Sequence, residues 1–209
     1  ADVALACTDA TADRVDRIDG LIAECLSRPE SLPPFVVSSA ADVATMTATL
    51  RLDFDEAHRM QAWAAPFHEQ NTGAYAVMYG HALDGLAFIE ELELDFAERS
   101  LRSALQVSLR PGVGRTQAYR LAAGLLAQLL YQRGASEEAS GLLEESLILE
   151  PDEGIIDMIR ARYVTAARLA VAQGDLDAGA RFLEDAGAVA DRLGARRLRA
   201  YVESELVAL

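Results

Sequence analysis

The chain has 209 residues and a formal net charge of −14, from 33 acidic and 19 basic side chains. All 19 basic residues are Arg. Without a Lys there is no Walker A lysine, no Schiff-base lysine and no lysine of the kind that anchors ATP in kinases. So acidic a chain repels phosphate backbones, which argues against direct nucleic-acid binding by this segment.

The 39 Ala and 29 Leu make up a third of the residues, while Pro (6), Gly (14) and aromatics (6%) are sparse. Such a composition predicts an all-α protein. The charge is uneven: residues 1–100 carry a net −12 and residues 101–209 a net −2. An anion therefore prefers the C-terminal half. Cys7 and Cys25 lie 18 residues apart, outside any CxxC pair, and read as small apolar side chains. Sparse Cys fits a reducing cytoplasm. No apolar run reaches the ~18 residues of a membrane span, so no membrane partner is expected. No basic n-region precedes an apolar stretch, so no signal peptide is expected either. The chain begins Ala1-Asp2-Val3 and reads as a fragment of something longer.

In chain order, residues 11–27 read as one amphipathic helix, with Val15, Ile18, Leu21, Ile22 and Cys25 on one face. Arg28 to Pro34, with Pro29, Pro33 and Pro34, is a linker. Four helix hairpins follow, over residues 36–69, 74–110, 115–150 and 155–192. A capping helix spans 195–209, with Leu198, Val202, Leu206 and Leu209 on one face. The whole chain is read as a single solenoid. The chain is expected to be a monomer or a homodimer, with its last apolar stripe, where exposed, as the surface through which a dimer would form.

Internal repetition carries this reading. The segments Leu52–Ala57, Leu92–Ala97, Gly134–Ala139 and Gly174–Gly179 start 40, 42 and 40 residues apart. Each is a turn between two helical stretches. Asp55, Asp95, Glu137 and Asp177 share one place, where a carboxylate meets the positive end of the second helix. Asp53 with Glu56 and Asp95 with Glu98 are alternative capping boxes. Small residues recur in phase at the end of each turn segment (Ala57, Ala97, Ala139, Gly179) and seven residues later (Ala64, Ala104, Ser146, Ala186). They recur again seven residues before each turn segment, at Thr45, Gly85, Ala127 and Ala167. Two antiparallel helices approach closely only where both are small. Between these sites lie the larger Leu101, Leu143 and Leu183, with Gln61 the exception.

The pattern small, small, turn, small, large apolar, small resembles the tetratricopeptide repeat over roughly residues 36–193, with a period of 40–42 rather than the family's ~34. HEAT and armadillo arrays share the longer period but suit the Gly134 and Gly174 turns less well. The resemblance is closest to the helical sensor region of bacterial ATP-dependent LuxR-type transcription regulators, the maltose-regulator-like (MalT-like) group. It rests on Leu121–Gly134 with Glu138–Leu143, on Arg160–Asp175 and on Leu193–Leu206. It implies a right-handed superhelix of stacked antiparallel hairpins. It also implies a non-catalytic, ligand- or protein-binding role, with a P-loop ATPase and a DNA-binding helix-turn-helix outside this segment. The alternative is a free-standing scaffold for protein–protein assembly.

In such a superhelix the first helices line the concave face. Repeat phase puts Met78, Tyr79, Leu86, Arg120, Gln128, Tyr131, Arg160 and Arg168 there. This groove of aromatic, amide and guanidinium groups suits a peptide or an oxygen-rich small-molecule effector. The tetratricopeptide clamp for peptide C-termini matches Ala82, Leu86, Gly124, Gln128, Val164 and Arg168, of which only Arg168 and Gln128 fit the role. His58, His68 and His81 form no HxxxH or HExxH pair, so no metal is expected. No catalytic set and no cofactor is expected. Trp63 reads as inter-helix packing. Arg196, Arg197 and Arg199 read as a helix face pairing with Glu203 or Glu205.

Overall fold

A computed structural model describes residues 2–11, 14–70 and 74–208. The described residues are all-helical. They form eleven α-helices: α1 (Asp2–Thr11), α2 (Ile18–Ser27), α3 (Pro34–Leu50), α4 (Phe54–Gln70), α5 (Tyr75–Glu91), α6 (Leu94–Val107), α7 (Gln117–Gln132), α8 (Ser136–Ser146), α9 (Ile156–Ala172), α10 (Leu176–Leu193) and α11 (Arg196–Ala208), with a 3-10 turn at Pro29–Ser31. The chain divides into two compact units, Ala1–Ala122 and Ala123–Leu209, rather than one block. In the first, α3 packs on α4, α4 on α5 and α5 on α6, with α1 and α2 against α3. In the second, α8 packs on α9, α9 on α10, and α11 on both α9 and α10.

The four repeated turns share one backbone solution. Their first residues, Leu52, Leu92, Gly134 and Gly174, all take the left-handed conformation, with φ of 60°, 68°, 79° and 85°. The next residue's N–H donates back to the carbonyl five residues earlier: Asp53 to Ala48, Glu93 to Phe88, Ala135 to Leu130 and Asp175 to Ala170, each at 2.9 Å. This bond satisfies a carbonyl that the helix end orphans. Gly194 (φ 65°) with the Ala195 to Ala190 bond at 2.8 Å repeats the motif between α10 and α11. On the far side of two turns a carboxylate caps the next helix: Asp53 accepts from the Glu56 N–H at 3.2 Å and Asp175 from the Ala178 N–H at 2.8 Å. Asp95 lies inside the first turn of α6.

The in-phase small residues are where the helices close. Ala57, Ala64, Ala97, Ala104, Ala139, Ser146 and Ala186 are fully buried, with Leu101, Leu143, Leu183 and Gln61 buried between them. Gly85 on α5 shows how tight the closure is. A Cβ there would lie 2.6 Å from the Leu101 Cγ on α6.

The predicted single helix over 11–27 is not what forms. The helix begins at Ile18, a separate α1 precedes it, and Ala12 and Asp13 lie outside the described residues. Ion pairs span the break. Asp9 on α1 buries its carboxylate, and both Arg14 (3.1 Å) and Arg17 (2.7 Å) fold back to it. The two guanidiniums hold that carboxyl below its ordinary pKa. The C-terminal stripe also differs from expectation. Leu198 and Val202 are buried in a core with Ile159, Val164, Leu183 and Val189, while Leu206 and Val207 are exposed. Leu209 lies outside the described residues. No helix among the described residues is long and apolar enough to cross a membrane.

Candidate functional site

The eight groove residues fall four to each unit. In the first unit, Met78 (0% exposed) and Leu86 (2% exposed) are core side chains and line no open surface. The reason is that α5 is buried on nearly every face, by α3, α4 and α6. Tyr79 is half-buried and stacks on Tyr75, with ring centroids 5.9 Å apart. Arg120 is also half-buried, its Nε enclosed without a hydrogen-bond partner.

The second unit brings its four together. Gln128, Tyr131, Arg160 and Arg168 line one cavity of about 290 Å³, with Thr165, Tyr201, Ser204 and Glu205. Its walls are α7, α9 and α11. The Arg160 guanidinium lies 4.6 Å from the centroid of the Tyr201 ring, and its Nη2 is 3.7 Å from Asp157. Asp157 is held from α11 by Arg197, through two bonds of 2.5 and 2.7 Å. Arg168 makes a two-point contact with Glu205, Nε at 2.9 Å and Nη2 at 2.5 Å, which holds the guanidinium firmly charged. The Gln128 Oε1 is buried and accepts no hydrogen bond among the described residues. A second opening of about 470 Å³ adjoins the same Tyr131, Arg168, Ser204 and Glu205. Such a set has forks for an anion, aromatic faces and an idle acceptor. It is equipped for binding.

The α11 half of this cavity, Tyr201, Ser204 and Glu205, was not legible in the repeat phase because α11 lies outside the repeats. Arg197 and Glu205 were expected to pair along their own helix. They pair with α9 instead, while Arg199 pairs with Asp191. Arg162 went unnoticed as well. It is 1% exposed and donates to the carbonyls of Glu150, Pro151 and Glu153, at 2.9–3.4 Å, so it ties down the α8–α9 connection.

The three histidines border a separate cavity of about 260 Å³ in the first unit, between α4 and α5. Trp63 packs along α4 against Phe67, centroids 5.1 Å apart. His58 contacts Asp84 (2.7 Å) and Glu91 (3.1 Å). His68 belongs to a buried chain. Gln61 donates its amide to Thr45 (2.9 Å) and Asp42 (3.2 Å), so its Oε1 accepts from His68 Nε2 (3.1 Å). His68 Nδ1 is then the acceptor for Ser38 Oγ, at 2.8 Å. This is the neutral ring. Burial pushes the His68 pKa down to about 4 and the Asp42 pKa up to about 7. Gly80 makes room for the chain: a Cβ there would sit 2.8 Å from Gln61 Oε1 and 2.9 Å from His68 Nε2. Among the described residues no group of three or more His, Cys, Asp or Glu is placed to hold a metal ion.

No family model matches the chain, and no solved structure matches it. Three curated relatives do, each called serine/threonine-protein kinase PknK. Two are from Mycobacterium tuberculosis (strains CDC 1551 / Oshkosh and ATCC 25618 / H37Rv) and one is from Mycobacterium bovis (strain ATCC BAA-935 / AF2122/97). Identity is 39% over all 209 residues. The chain spans 19% of each relative's length. It is similar to a stretch of these kinases that is not the catalytic domain. A protein-kinase domain needs a Lys on a β-strand over ATP. This chain has no Lys, and its described residues form only helices and turns.

Proposed function

We propose that the chain is a non-catalytic sensor segment of a larger signalling protein. It takes a peptide or small-molecule effector with an anionic group into the cavity between α7, α9 and α11. One observation carries this reading. Four residues chosen for a binding surface from repeat phase converge on one cavity, and its third wall is the last helix, held there by the Arg168–Glu205 and Arg197–Asp157 pairs. An effector carboxylate or phosphate competes with Glu205 for the Arg168 fork, so binding is felt by α11.

Two comparisons support a host with separate output domains. The resemblance to MalT-like sensor regions points to a LuxR-type transcription regulator. The similarity to a fifth of a serine/threonine kinase points to a host whose output is phosphotransfer. In both, the helical segment receives and other parts act.

The test is a thermal-shift screen of carboxylate and phosphate compounds and short peptides, followed by titration of hits against Tyr131→Ala and Arg168→Ala chains. Loss of a charge-assisted pair is expected to weaken binding by about 10- to 100-fold. Affinity unchanged in both variants overturns the reading.

A further inference from the structure

The first two turns hold a leucine where the last two hold a glycine. Leu52 and Leu92 both sit in the left-handed region, at φ 60° and 68°, which a side chain disfavours. Both are also exposed, at 68% and 79%. At Gly134 and Gly174 the same turn forms without this conflict. The two leucines cost conformational energy and leave apolar surface in water.

Both turns lie at the same end of adjoining hairpins in the first unit. His58, in the second turn of α4, reaches Asp84 in the middle of α5 and Glu91 at its end. The His58 ring stacks on Phe88 at 3.8 Å, and Phe88 stacks on Phe96 at 5.3 Å. Phe96, on α6, is half exposed. An apolar edge thus runs through the turns.

The charge around it is mostly negative. Asp53, Asp55, Glu93 and Asp95 are exposed beside the leucines, with Glu56, Glu90 and Glu91 close in sequence. The nearby Arg side chains are engaged: Arg51 with Asp19, Arg59 with Glu56, and Arg99 over the Phe96 ring. This edge lies in the half of the chain that carries a net −12.

We infer that the α3–α4 and α5–α6 turn edge, with Leu52, Leu92 and Phe96 as apolar anchors inside an acidic rim, docks a positively charged polypeptide segment bearing apolar side chains at helical spacing. Opposite charge brings such a segment in and the leucines hold it. The surface is separate from the α7–α9–α11 cavity, so the two readings stand or fall independently.

The probe is a fluorescent synthetic helix of about 18 residues with an Arg face and a Leu face, titrated at about 150 mM salt so that only charges within about 8 Å of one another still act. The parent chain is compared with the Leu52→Gly/Leu92→Gly double variant. The expected result is at least tenfold weaker binding by the variant together with a melting temperature higher by about 2–4 °C, since the turns relax. A melting temperature that rises while affinity stays within twofold overturns the proposal. So does equal binding of a Glu/Leu helix with the same apolar face. Concentration-dependent self-association of the parent that the double variant loses, with no uptake of the probe, assigns the edge to a second copy and also overturns it.

Discussion

At the level of single residues, the buried Asp42–Gln61–His68–Ser38 chain makes the sharpest claim. The folded-state pKa of Asp42 is about 7, above its ordinary 3.8. Its contribution is therefore full below about pH 4 and is lost as pH rises through 7. His68 runs the other way. Its folded-state pKa of about 4 lies below 6.5, so its contribution is full above 6.5 and is lost as pH falls towards 4. Between about pH 4 and 6.5 the two slopes offset each other. Asp42→Asn should leave the rising slope of His68, up to about 1.4 kcal/mol per pH unit over that range, to which His81 adds in the same direction because burial also lowers its pKa. His68→Asn should leave the Asp42 slope, falling by a similar amount. Denaturant titrations at several pH values read both. A flat profile in both variants would show that neither group titrates with a shifted pKa. Nothing in the sequence announced this chain. The three histidines show no motif spacing, and Asp42 meets Gln61 and His68 only where α3 packs on α4, with Gly80 on α5 leaving the room that the Gln61 and His68 side chains fill.

At the level of elements, the sequence was most informative where the physics is local. Turn carboxylates and in-phase small residues depend on neighbours within one hairpin, and they locate the closures correctly. Gly85 is the clearest case. Gly85→Ala drives a methyl into Leu101 and should destabilise the chain by about 1–3 kcal/mol. Leu101→Ala opens a cavity and is costly by itself. The double variant should be more stable than the sum of the two by at least about 1 kcal/mol, because the new methyl enters the vacated space. Strict additivity in equilibrium unfolding would mean that the two side chains do not compete. What was not legible is what depends on a third element. Met78 is in phase with the cavity residue Arg160 and Leu86 with Gln128 and Arg168, yet both are core because α5 is covered on several sides. The break between α1 and α2 is spanned by Asp9 gathering two arginines, which no periodicity reports.

At the level of the whole molecule, composition and similarity bear on the same question from different sides. A chain without Lys that matches 19% of a serine/threonine kinase should itself transfer no phosphate. Incubation with γ-labelled ATP and a general protein substrate should give incorporation indistinguishable from a no-protein control. Transfer that persists through purification and is lost on heat denaturation of this chain would contradict the non-catalytic reading. The charge imbalance, −12 in residues 1–100 against −2 in the rest, also sorts ligands. On the two proposals above, an anionic effector would meet the Arg side chains of the second unit and a cationic segment the carboxylates of the first.

The short turn at Gly194 has a mechanical consequence. Only Gly194 and Ala195 separate α10 from α11, and the Ala195 to Ala190 bond pins the near end of the last helix. The far end is held through the side chains of Tyr201 and Glu205. Leu198 and Val202 seat the first half of the helix in the core, so α11 would move as one rigid rod about this turn. Thirteen residues at about 1.5 Å each give roughly 20 Å of length, so a tilt of roughly 10° about Gly194 carries its tip about 3 Å. On the proposed reading, exchanging the Glu205 carboxylate at Arg168 for an effector's would be amplified into a displacement as wide as a hydrogen bond is long.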